Sequence, residues 1–220
     1  MKKGDHSTSP AIRDALQQIA RASRSKRAAE GHSAVVEAAT RALVPRLADL
    51  VVLVVRNEDG SHQVEVAHRE VTCESELRER VMAHLDMLRQ AAGRVSSRSQ
   101  TLRSHWIPEA KPSAIQALIG DDPAINEFVA AQGIRSIIVH PLTARGDSRG
   151  ALALARLGDS PPYTGADFAA GILLARRMAL AIDQAQMRAA VQRTEEGLRL
   201  DEAMEKWAHT FETASWGAAI

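Results

Sequence analysis

The sequence predicts an α+β fold: one antiparallel sheet with helices on both faces and long helices towards the two chain ends. Two observations carry this. Two pairs of apolar runs are each joined by a short polar turn, "LVVLVVRNEDGSHQVEVAH" and "IIVHPLTARGDSRGALALAR", so strands that follow one another run antiparallel. The stretches around them carry apolar residues at helical spacing, without the strand–helix–strand alternation of a parallel sheet.

Each element has its own signal. Ser9-Pro10 opens a first helix, Pro being tolerated in a first turn. Ile12, Leu16 and Ile19 follow at spacings of four and three, a narrow seam suited to a partner helix. Gly31 interrupts, and Ser33 can cap "AVVEAATRALVPRLAD", a second helix with Pro45 near its end. The run Leu50 to Val55 reads as a strand covered on both faces. "NEDG" turns it into a second strand, where Val64 and Val66 alternate with Gln63 and Glu65 and one side is wetter. Residues 74–92 form a helix with Leu77, Val81, Leu85 and Leu88 on one stripe.

Residues 93–122 are irregular, with two prolines and one short helix at 113–119. "PAINEFVAAQG" is a compact helix capped by Asp122 and stopped by Gly133. The second hairpin follows. After "DSPPYTG" a long helix starts near Asp167 and meets no proline up to about Phe211, on the order of 65 Å.

Composition removes several function classes. A net charge of +1 and 3% aromatic residues provide neither a basic surface nor stacking side chains, so nucleic acid is not expected as a partner. The lone cysteine, Cys73, forms no intrachain disulfide and fits a reducing, cytoplasmic location. "MKKGDHSTSP" lacks the apolar core of a signal peptide, and Leu50 to Val55 is too short to cross a bilayer. No G-x-S-x-G, Walker A, H-E-x-x-H or kinase signature is present. No two of the eight histidines are four apart, so no helical metal site is expected. Cys73 has no neighbouring Lys or His to activate it, and Asp121-Asp122 suits a helix cap better than acid–base work. No catalytic residue is assigned.

Three blocks in order, "LVPRLADLVVLVVRNEDGSHQVEVAH", "DPAINEFVAAQGIRSIIVHPLTARGDSRGALALAR" and "PYTGADFAAGILLARRMALAIDQAQM", resemble a GAF domain over roughly residues 33–190. The resemblance is narrowest to GAF domains of bacterial sensor histidine kinases and regulatory serine/threonine phosphatases. It implies a small-molecule cavity beside the sheet. The "VHPL" position usually reads V-P-L in this family and ends a strand next to that cavity. His140 departs from the pattern, as a pocket ligand or as a strand-end residue. On period two it shares a strand face with Ser136 and Ile138.

The resemblance also bears on ligands. "ALALARLGDSPPY" has no cysteine for a covalent bilin, and the N-K-x-x-x-F-x-x-x-D-E signature of cyclic-nucleotide members is absent. Haem would need an axial histidine, from His105, His140 or His68, and a lone histidine is weak warrant. No cofactor is expected. The cavity, against the irregular 93–122 crossover, has His105, Trp106, Glu109, Phe128 and His140 as lining candidates, with Trp106 either a lid or a plug. A GAF-fold reductase acting on methionine sulfoxide would need several cysteines, which this sequence lacks.

The long helix suggests a mechanism. Phe168, Ile172, Ala175, Ala179 and Ile182 alternate at four and three, and Met187, Val191, Thr194 and Leu198 keep the rhythm. The apolar set then restarts at Leu200, Met204, Trp207 and Phe211, beside Gly197, which weakens a helix by roughly 1 kcal/mol. With the N-terminal seam, this predicts a parallel homodimer whose helices cover one sheet face while the pocket occupies the other. "EKWAHTFETASWGAAI" resembles the opening of a PAS domain, so the sequence is expected to be a piece of a longer protein.

The predicted organisation is a dimerisation helix at 1–32, the GAF domain at 33–190, a signalling helix at 191–214 and the start of a PAS domain at 215–220. The expected function is a non-catalytic sensory module of a signal-transduction protein, with a histidine kinase as the parent. It would couple an unidentified small molecule to a coiled coil. The alternative is a ligand-free dimerisation spacer.

Overall fold

A computed structural model describes residues 14, 15, 17, 18, 21, 32–57, 59–83, 103–119 and 123–216. The expectations placed on Ile12, Leu16, Ile19, Leu85, Leu88, Asp122 and the final "GAAI" lie outside these residues. Residues 14, 15, 17, 18 and 21 are helical; Ala15 is buried in the core and Asp14 pairs with Arg46 at 2.8 Å.

Helix α1 (His32–Arg41) leads to strands β1 (Leu50–Arg56) and β2 (His62–His68), then a 3-10 turn at Val71–Cys73 and helix α2 (Glu74–Ala83). Strand β3 (His105–Ile107), helices α3 (Pro112–Ile119) and α4 (Pro123–Ala131), strands β4 (Ile134–Ala144) and β5 (Asp147–Leu157), and helix α5 (Gly165–Trp216) follow among the described residues. The strands form one five-stranded sheet, β2-β1-β5-β4-β3, in which every neighbouring pair is antiparallel.

The aliphatic run of β1 is covered on both faces, as its sequence predicts. Val51, Leu53 and Val55 pack with Val36 and Leu43 and with Leu174, Met178 and Ile182 of α5. Leu50 faces the other way, with Val64, Val66, Leu77 and Val81, and Val52 and Val54 pack against that set. Each fully buried aliphatic side chain contributes roughly 1.5–3 kcal/mol, so the two clusters fix the register of the central strands.

Buried polar groups tie loops to this frame. The Asp49 carboxylate accepts the Leu157 N–H at 2.9 Å, and the Asp49 carbonyl accepts the Arg69 N–H at 2.8 Å. Tyr163 donates its hydroxyl to the Leu47 carbonyl at 3.0 Å, and its own N–H reaches Ser136 Oγ at 3.2 Å. Glu74 takes two hydrogen bonds from Arg41, at 2.9 and 2.7 Å, and the His68 N–H at 2.9 Å. Burial pushes the Glu74 carboxyl up, but the Arg41 and His68 hydrogen bonds outweigh it and the net shift is downward. One carboxylate thus joins α1, β2 and α2.

Three boundaries and one strand differ from the sequence reading. Helix α1 ends at Arg41 and residues 42–47 form turns, since proline at position 45 has no N–H to extend the helix and disfavours helical geometry before it. The irregular crossover contributes a strand, β3, which pairs with Ile137, Ile138 and Val139. Helix α5 begins at Gly165, because Thr164 and Asp167 cap it: Thr164 Oγ1 donates to Asp167 Oδ2 at 2.7 Å and accepts the Asp167 N–H at 3.3 Å. It continues to Trp216, 52 residues in all, which is about 78 Å. No helix among the described residues is long and apolar enough to cross a membrane.

The proposed dimer seam requires a larger correction. Ala175, Ala179 and Ile182 are 2%, 0% and 0% exposed, buried against the chain's own sheet and closed to a partner. Phe168 is half-buried and packs against the same core. Ile172, Val191 and Leu198 are exposed. A 3.6-residue stripe serves a sheet as well as a helix, and here the sheet takes it.

Candidate functional site

His140 stands at the centre of the candidate site. It lies on the inward face of β4 with Ser136, Ile138 and Leu142, and its side chain has no solvent exposure. Nδ1 is 2.9 Å from Ser104 Oγ, just before β3. The ring lies 5.1 Å from the Phe168 ring, tilted by 37°, and Phe168 in turn stacks on Trp106 at 6.0 Å and 22°. Under the imidazole, α5 presents Gly171, where a methyl group would come within 2.3 Å of Nε2. That nitrogen has no hydrogen-bond partner among the described residues.

The site therefore joins β4, the start of β3 and the first two turns of α5. His140, a pocket candidate on an expectation that placed the pocket on the sheet face away from the helices, points instead at α5. Of the predicted lining residues, His140 and Trp106 meet through Phe168, a residue assigned by its spacing to the dimer seam. Trp106 is 39% exposed, so one edge of this aromatic stack meets solvent. His105 is half-buried on β3, opposite Val139. Glu109 is exposed and pairs with Lys111 at 2.7 Å, away from the imidazole cluster. Phe128 lies on α4, and its side chain is outside the described residues. His68, the remaining haem candidate, accepts the Glu70 N–H on Nδ1 at 3.0 Å.

Ser104 and Gly171 were not singled out from sequence. Gly171 did leave a signal, a residue without a side chain in the apolar stripe "FAAGILLA" where a bulky one would normally fill the core. Among the described residues no three His, Cys, Asp or Glu side chains are grouped to hold a metal.

Burial lowers the His140 pKa from 6.5 to about 4, so the imidazole is neutral at neutral pH. The unfolded chain takes up this proton near pH 6.5 and the folded chain only near pH 4, so acid favours unfolding between these values. The contribution is complete above pH 6.5 and is lost as pH falls towards 4, about 3 kcal/mol in all. Urea unfolding across this range is expected to show a shallower pH slope for His140→Gln than for the unaltered protein. Equal slopes would show that His140 protonates as readily folded as unfolded.

The architecture is that of a GAF domain. The fold is similar to the GAF domain of a phosphoenolpyruvate-protein phosphotransferase from Coxiella burnetii, with a TM-score of 0.53 and 16% identity over 83% of this chain and 99% of that one. An Acinetobacter phosphoenolpyruvate-protein phosphotransferase GAF domain gives 0.51 and 11% identity, covering 80% of this chain and 93% of that one. The phycoerythrobilin-bound GAF domain of a cyanobacterial phytochrome gives 0.51 and 16% identity, covering 81% and 97%. No protein-family model and no curated protein matches the chain.

Proposed function

We propose that this chain is a non-catalytic regulatory module of a multidomain signalling protein, in which packing around His140 sets the position of α5. One observation carries the reading: the side chains around His140 converge on Phe168 and Gly171, in the first two turns of the helix that leaves the domain. Beyond Gln186 that helix has no buried residue among those whose exposure is described, so a shift at its base has a path outward. An unidentified small molecule acts by entering beside Trp106 and moving the Trp106–Phe168 stack. No cofactor is assigned and nucleic acid is not a partner. The resemblance of "EKWAHTFETASWGAAI" to a PAS opening supports a PAS domain downstream, the resemblance of residues 33–190 to GAF domains of sensor histidine kinases supports such a kinase as the parent, and the lone Cys73 supports a cytoplasmic setting.

The module acts as a parallel homodimer. Leu173, Leu180 and Met187 are exposed at seven-residue spacing, and Val191 and Leu198 continue the apolar row. Seven-residue spacing is the repeat of a two-helix supercoil, and these residues replace Ala175, Ala179 and Ile182 as its seam. The second reading, a ligand-free spacer, is favoured by the tight seal of Gly171 over Nε2.

Native mass spectrometry of the purified protein is expected to show a dimer carrying extra mass that leaves on denaturation. A dimer of bare chain mass would favour the spacer, and a bare monomer would overturn the homodimer. Leu180→Glu with Met187→Glu is expected to convert the dimer to monomer with the domain still folded, checked by sedimentation and circular dichroism.

A further inference from the structure

We propose that Asp183, Arg145 and Arg149 form a latch that holds α5 at one rotation about its axis, and that α5 turns when the latch opens. Asp183 interrupts the apolar stripe of α5, directly after Ile182, and its side chain is 2% exposed. Its carboxylate is met by Arg149 Nη2 at 2.7 Å and Arg145 Nε at 3.0 Å, both from the β4–β5 hairpin. One turn further along, Gln186 donates to the Arg56 carbonyl at 3.0 Å, at the end of β1. These contacts lie at one end of the sheet, at the last place where α5 touches the core.

The turn shows that the arginine is held there for its charge. Arg145 and Gly146 form the two-residue connection between β4 and β5, with φ of 54° and 89°. Such a turn favours Asn or Gly at both positions, and an arginine in the left-handed region carries strain. The side chain reaches Asp183, which offsets that strain by partnering a carboxylate withdrawn from water. A buried carboxylate also resists rotation of its helix, because turning either strands it without its arginines or carries it across the apolar face. The latch rests on the reading of α5 as an output helix, but its mechanical part does not depend on a ligand or a dimer.

Arg145→Asn separates the latch from mere turn geometry. Asparagine suits the left-handed position better, so a turn without a latch would leave α5 as protected as before, or more so. With the latch, amide hydrogen exchange over residues 178–190 is expected to quicken by about tenfold, the scale of a lost partner. Asp183→Asn is expected to quicken the same amides while preserving shape. Unchanged or slower exchange in Arg145→Asn would overturn the latch, even if Asp183→Asn failed to fold. A bare monomer by mass spectrometry would overturn the homodimer and leave this result intact.

Discussion

Gly171→Ala is expected to destabilise the domain by roughly 3 kcal/mol or more, at or beyond the upper end for overpacking a core. The added methyl would lie 2.3 Å from His140 Nε2 and 2.8 Å from Cδ2, far inside contact distance. The ring has nowhere to go: it is fully buried, held at Nδ1 by Ser104 and flanked by Phe168. The only relief is for α5 to lift from β4, which opens the core around Leu174 and Met178. Shortening the ring should undo the damage. His140→Ala together with Gly171→Ala is expected to be more stable than Gly171→Ala alone, a coupling of about 1–3 kcal/mol between neighbours. Urea midpoints of the four proteins measure it. If the double variant were only additive, the imidazole would not be what fills the space over Gly171.

Gly150→Ala is expected to be the most damaging single methyl addition in the sheet. Gly150 sits opposite Val55 where β5 meets β1, with φ of 140°, a region that L side chains rarely adopt. An added Cβ would fall 1.9 Å from the Val54 carbonyl oxygen, which is backbone in a central strand and cannot swing aside. Strain and lost pairing together should exceed roughly 3 kcal/mol, enough to leave much of the protein unfolded. Gly146→Asn makes the contrast: the space there is empty and asparagine tolerates positive φ, so a change within about 1 kcal/mol is expected. A wild-type unfolding midpoint for Gly150→Ala would mean that β1 and β5 do not approach this closely.

These sites also mark how far the sequence could be read. The two hairpins are legible because apolar runs and their turns are local signals, and β1 pairs with β2 and β4 with β5 as those runs imply. Strand β3 is not, because three residues carry no periodicity and His105–Ile107 are a strand only because β4 offers them an edge. The helical stripe through Ala175, Ala179 and Ile182 is legible in the sequence but its partner is not, since spacing does not tell a neighbouring helix from the chain's own sheet. His140 stands out in the sequence as a polar residue in an apolar strand. Its counterpart Gly171 lies 31 positions on, and nothing local announces that one fills the space the other leaves. Asp183 broke an apolar face in plain view, and its reason became apparent only with Arg145 and Arg149 beside it.

The strand order has a consequence for the birth of the molecule. β1 and β5 are neighbours in the sheet, and the hydrogen bond from Leu157 to Asp49 closes a span of 108 residues. Each hairpin can form on its own within microseconds, but their union must wait for this long closure. On the ribosome the first hairpin emerges with the inner edge of β1 bare, and that apolar ribbon stays open to foreign strands until β5 arrives to cover it.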